Sequence, residues 1–122
     1  FEFHGDQPLF MEVLDKSQSY ASADRIMYVV GATRPEMLGA VRQRVPQAFL
    51  LVPGVGAQGG TVADVARHGM NDQCGLLVNS SRGILYAGGV DASVEQAQQA
   101  ASQAAQVLQA EMQVALQAAS LV

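Results

Sequence analysis

The chain has 122 residues, 49% of them hydrophobic and 15% charged, which is the balance of a protein with a packed core rather than a disordered one. Its formal net charge is −4 and it has no cluster of Lys or Arg, which excludes bulk neutralisation of a nucleic-acid or membrane surface but leaves room for one small anion held locally. A single cysteine, Cys74, precludes an internal disulfide and suits a reducing, cytoplasmic setting, and no apolar run is long enough to cross a bilayer.

Phe1 to Asp6 shows neither an initiator Met nor the layout of a signal peptide, so the chain is expected to begin inside a longer protein or at a processing boundary. His4 is expected in a mobile start. Leu9 to Tyr20 carries Leu9, Phe10, Val13 and Leu14 at helical spacing, with Pro8 suited to the first turn. Arg25 to Ala32 contains Ile26 to Val30 in one apolar run, which predicts a strand buried on both faces. Thr33 and Glu36 form a capping-box pattern, with Pro35 in the first turn. Met37, Leu38, Val41 and Val45 make the inward face of the helix that follows, and Pro46 stops it.

Phe49 to Val52 reads as the next strand. A glycine-rich loop runs from Gly54 to Gly60, and Thr61 with Asp64 caps a helix whose inward residues are Val62, Val65 and Ala66 and whose end is Gly69. Gly75 to Val78 is a third apolar run, followed by Asn79, Ser80, Ser81, Arg82 and Gly83, and Ile84 to Ala87 predicts one helical turn. From Asp91 the chain is rich in Ala and Gln. Ser93 and Gln96 suit a helix start, and Val94, Ala97, Ala101, Ala104, Leu108, Met112 and Ala115 lie on one stripe. Residues 91–120 are therefore expected as a closing helix laid on a sheet.

One helix followed by three strand–helix units predicts a parallel α/β sheet with helical crossovers. No linker divides the chain, so 1–122 reads as a single, partial domain. Three parallel strands alone leave two open apolar edges, which implies further strands outside these residues.

Chemistry concentrates in Leu50 to Gly60 and Leu76 to Ala87. Both place polar groups and pliant backbone just past the C-terminal end of a predicted strand, where α/β folds bind ligands. Gly54, Gly56, Gly59 and Gly60 allow close backbone approach, with N–H groups free to face an anion. Gln58 is the one long polar side chain of that loop, and Arg82 offers a planar fork suited to phosphate. Turn glycines and a surface arginine would look the same, but a cation at a helix start is disfavoured without an anion nearby. Gly54, Gly56 and Gly59 also fit the dinucleotide-binding pattern G-x-G-x-x-G, yet the next strand ends at Val78 and Asn79 with no acid for a ribose hydroxyl.

The strings VVGAT (29–33), PGVGAQGG (53–60) and NSSRGILYA (79–87), in this order over about residues 8 to 90, resemble orotidine 5′-phosphate decarboxylase, in particular the bacterial subgroup with the SSR element. The resemblance implies the C-terminal half of a (β/α)8 TIM barrel, with strands six to eight present. It implies decarboxylation of orotidine 5′-monophosphate to UMP in pyrimidine biosynthesis, with no metal or organic cofactor, in a homodimer. It matches Gln58 to a glutamine touching phosphate and pyrimidine, and Ser81 and Arg82 to the phosphate-binding pair. Pro53, Gly54, Gly56, Ala57, Gly59 and Gly60 match the wall around the nucleotide. The family's catalytic Asp-x-Lys-x-x-Asp does not occur here, and the single lysine, Lys16, reads as a solvated helix residue, so no catalytic residue is expected in this segment. The remaining candidates carry little: His68 sits near a helix end, His4 has no cluster, and Cys74 has no His nearby in sequence. Two further readings are a non-catalytic phosphate- or dinucleotide-binding α/β module and a structural piece that assembles through the Ala/Gln tail and open sheet edges.

Overall fold

The computed structural model of the chain describes residues 3–56 and 59–121, with side chains from Gly5 onward. The start is ordered as a short hairpin: strands β1 (Phe3–His4) and β2 (Gln7–Pro8) pair antiparallel, turning at Gly5 with φ +67°. His4 therefore lies in a paired strand, where the sequence suggested a mobile end. Helix α1 (Leu9–Ser17) follows at once, with Pro8 as its capping residue, and it ends short of the expected Tyr20. Its buried contacts come from Phe10, Met11 and Leu14, whereas Val13, expected inward, is largely exposed.

The centre is a parallel sheet of β3 (Met27–Val29), β4 (Phe49–Pro53) and β5 (Leu76–Asn79), in that spatial order. Helices α2 (Pro35–Arg44) and α3 (Val62–Gly69) are the crossovers, and α4 (Ser81–Leu85) and α5 (Val94–Ala118) close the chain. The register places Tyr28, Leu50 and Leu76 side by side and Val29, Leu51 and Leu77 side by side. Since strand side chains alternate, these two rows face opposite sides.

One side is the core. Leu38, Leu50, Val52 and Val65 are fully buried there, with Val41, Val45, Val55 and Val62 around them. The other side is uncovered. Met27, Val29 and Leu77 are 52%, 70% and 52% exposed, and Phe49 is also exposed. The prediction that β3 is buried on both faces is thus wrong for this chain: the helices cover one face, and nothing among the described residues covers the other. The β3 strand is shorter than predicted, but its ladder to β4 continues through Val30 N–H to Leu51 O and Ala32 N–H to Pro53 O, each 2.9 Å.

Capping signals met mixed outcomes. Thr61 caps α3 as expected, its hydroxyl accepting from Asp64 N–H, and Ser93 with Gln96 forms a full capping box on α5. At α2 the capping residue is Arg34, with no side-chain cap, so Thr33 lies one residue too early. Pro35 at the first helical position explains the shift, because it fixes where the helical φ begins. Val94 is 74% exposed, not part of the buried stripe, while Leu108, Met112 and Ala115 do pack on the core. Among the described residues no helix is long and apolar enough to cross a membrane.

Candidate functional site

Pro53 and Asn79 are partners in the β4–β5 register, so the two loops suspected of binding leave the sheet side by side at its C-terminal edge. Between them lies a cleft of about 140 Å³ lined by Pro53, Gly54, Val55, Asn79, Ser80, Ser81 and Arg82. Larger concavities lie elsewhere, notably a 680 Å³ groove between α3 and α5. That groove is mostly apolar, and a polar hollow of about 690 Å³ lies at the α4–α5 turn rather than at the strand ends, so position and chemistry together favour the smaller cleft.

The first loop is built for tight turning. Gly54, Gly56 and Gly59 have φ of +94°, +81° and +90°, a region side chains other than glycine rarely adopt. Gly56 N–H donates to Gly60 O at 2.8 Å, and Gly59 N–H donates to Gly56 O at 3.0 Å, closing the loop on itself. Gly60 serves close approach: a Cβ there would stand 2.5 Å from the Ala32 Cβ, at the end of β3. Gly60 is thus turned towards β3 and buried, while Gly54 lines the cleft and Gly56 lies beside Ser80. Ala57 and Gln58 fall outside the described residues.

The second loop runs straight from β5 into α4. The sequence placed the helical turn at Ile84 to Ala87, but helix already begins at Ser81, which puts Ser81 and Arg82 in its first turn. Both are exposed. Asn79 Nδ2 donates to Ser81 Oγ at 3.2 Å. No hydrogen bond or ion pair engages the Arg82 side chain among the described residues, although other arginines are tied down: Arg44 pairs with Asp15, and Arg67 with Asp64 at 2.7 Å. Asn79, Ser80 and Val55 belong to the cleft but were not singled out as site residues. For Asn79 and Ser80 the signal was their adjacency to Ser81 and Arg82, whereas nothing in the sequence marked Val55.

The other candidates stay apart from the cleft. Lys16 is exposed in the last turn of α1, and His68 is half-buried in the last turn of α3. Cys74 is half-buried in a tight turn with φ +70°. Among the described residues no group of three or more His, Cys, Asp and Glu is placed to hold a metal ion.

No family model matches the chain. Among curated proteins, orotidine 5′-phosphate decarboxylase of Parabacteroides distasonis is 58% identical over 93 residues, covering 76% of this chain and 33% of the relative. The enzyme of the same name from Porphyromonas gingivalis W83 is 52% identical over 114 residues, covering 93% of this chain and 40% of the relative. The chain thus spans about a third to two fifths of these relatives' length. Among solved structures, UMP synthase of Leishmania donovani superposes with a TM-score of 0.65 at 31% identity, over 91% of this chain and 24% of that one. OMP decarboxylase of the same organism gives 0.64 at 28% identity, over 91% and 41%. With three parallel strands and crossover helices, the fold is part of a (β/α)8 barrel.

Proposed function

By sequence the chain belongs to the orotidine 5′-phosphate decarboxylase family, as a stretch matching 33–40% of the relatives described above, and we propose that it is the part of such an enzyme that grips the substrate's phosphate. The observation carrying this reading is the unpartnered, exposed Arg82 beside Ser81, facing Pro53 and Gly54 across paired strand ends. An arginine without a protein counter-ion at the mouth of a polar cleft is suited to an anion, and its fork matches two phosphate oxygens. Ser81 adds a hydroxyl, and the closed glycine loop forms the opposite wall. Gln58 is given the link between phosphate and pyrimidine on the strength of the family resemblance.

The reaction in this reading is loss of CO₂ from orotidine 5′-monophosphate to leave UMP. The phosphate is remote from the bond that breaks. Its binding energy still assists if the grip holds the base in the reacting orientation and strengthens in the transition state. The proton donor would lie in the rest of the barrel, since the one lysine here is exposed on α1, away from the cleft. The partners of this segment are then the remaining barrel strands and, for the whole enzyme, a second copy. A cytoplasmic setting accords with the free thiol of Cys74. No metal or organic cofactor is required.

The test is Arg82→Ala in the full-length enzyme. Removing a charge-assisted contact to phosphate should lower kcat/KM for orotidine 5′-monophosphate by about 100-fold. Kinetics equal to those of the unaltered enzyme would sink the assignment.

A further inference from the structure

Ser80 stands between the two loops of the cleft. It is half-buried, and its hydroxyl donates to the Val55 carbonyl at 3.0 Å, which ties the β5–α4 turn to the loop after β4. Val55 is a fixed post, only 3% exposed within the core. The glycine loop behind it is held at its far end as well, by Gly56 N–H to Gly60 O and by Gly60 against Ala32. The turn bearing Arg82 is otherwise held by helical backbone bonds, Ile84 N–H to Ser80 O and Tyr86 N–H to Arg82 O, each 3.2 Å, and by packing on α5. Ser81, Arg82 and Gly83 are all exposed, and the Asn79–Ser81 side-chain contact lies within the turn.

The space around the Ser80 hydroxyl is shaped for it. A Cβ on Gly83 would stand 2.6 Å from Ser80 Oγ, so any larger residue at 83 would push the hydroxyl from its place. A Cβ on Gly56 would stand 3.7 Å from the same atom, so the glycine loop passes close to the hydroxyl on its other side. The hydroxyl thus has one carbonyl to meet and a gap left for it by Gly83.

We infer that Ser80 is a positioning residue for the phosphate ligand, locking the turn that carries Ser81 and Arg82 to the glycine loop so that the guanidinium is placed before the ligand arrives. The inference rests on the phosphate reading of this cleft. Its physical content is preorganisation: an arginine on a fixed turn loses less freedom on binding than one whose turn must first be ordered.

The experiment is a double-mutant cycle in the full-length enzyme with S80A, R82A and the pair. Kinetics with orotidine 5′-monophosphate are read beside inhibition by UMP and by uridine, which lacks the phosphate. S80A should lower kcat/KM and weaken UMP about 5- to 10-fold, the scale of one lost hydrogen bond plus added mobility, and leave uridine unchanged. In the R82A background the same change should do almost nothing. A full S80A effect without Arg82, equal weakening of UMP and uridine, or an S80A enzyme that matches wild type while R82A is crippled would each overturn the inference and leave the phosphate reading standing. An R82A enzyme with normal kinetics would overturn both. Should S80A prove too unstable to assay, G83A reaches the same hydroxyl from the opposite side. It should weaken UMP selectively and in an Arg82-dependent way, and a G83A enzyme with normal UMP inhibition would overturn the inference.

Discussion

At the scale of single residues, the most heavily bonded side chain is Arg42, and it has no part in the cleft. It lies 8% exposed at the end of α2 and donates to five carbonyls: Gly69, Val45, Pro46, Ala48 and Gly75, at 2.7 to 3.3 Å. These belong to the ends of α2 and α3 and to the starts of β4 and β5, so one guanidinium gathers the edge of the sheet opposite the cleft. Burial pulls its pKa below the usual arginine value, with Cys74 acting weakly the other way, but the group stays charged at any ordinary pH. Arg42→Ala withdraws all five hydrogen bonds at once and should cost about 3–5 kcal/mol, read as a lower urea midpoint. Arg42→Lys should recover only a fraction, because an ammonium cannot span this fork. Nothing in the sequence announced this residue. Arg42 and Arg44 are two similar cations in one helix turn, and only packing makes one a buried staple and the other an exposed partner of Asp15. The place of Arg82 just past the end of β5 was legible, because its motif is local and its neighbours in sequence are its neighbours in space. Gln58, named from the same resemblance, lies outside the described residues.

At the scale of elements, periodicity and capping placed every main helix and strand within a few residues, because those signals act between residues three or four apart. Errors arose where a second local signal competed. Pro35 moved the α2 start past Thr33, and α4 began at Ser81 rather than Ile84. The hairpin of β1 and β2 escaped notice, since two-residue strands are too short to show alternation. Helix α5 depends unusually on its cap, for none of its 25 residues is fully buried. Ser93→Ala removes the hydroxyl that accepts from Gln96 N–H at 3.2 Å, and should lower stability by about 1 kcal/mol. Thermal unfolding followed by circular dichroism would register it as a lower midpoint, and no change in midpoint would mean that docking on α3 and α4 alone holds this helix.

At the scale of the whole molecule, the exposed row of Met27, Val29, Phe49 and Leu77 is the dominant fact. A parallel sheet is ordinarily covered on both faces, and here nothing among the described residues covers one of them. The relatives are more than twice as long, which leaves ample chain to close a barrel over it. In the proposed reading, the Lys and Asp that the family resemblance implies would come from that additional length. The isolated 122-residue polypeptide should therefore convert no orotidine 5′-monophosphate to UMP. Turnover by purified chain free of any longer protein would refute this division of labour.

The amino-acid sequence by itself determined the order of the main helices and the three parallel strands, the position of the glycine loop and the place of the motif around Arg82, because each is written in contacts between near neighbours along the chain. It also contains no Asp-x-Lys-x-x-Asp pattern. Only the tertiary structure decided which strand face is covered, that Arg42 is buried and Arg82 is not, and that Ser80 bridges to Val55 across 25 positions. Those outcomes depend on which distant segments meet, and a pattern of apolar residues states that a surface seeks cover without stating what supplies it.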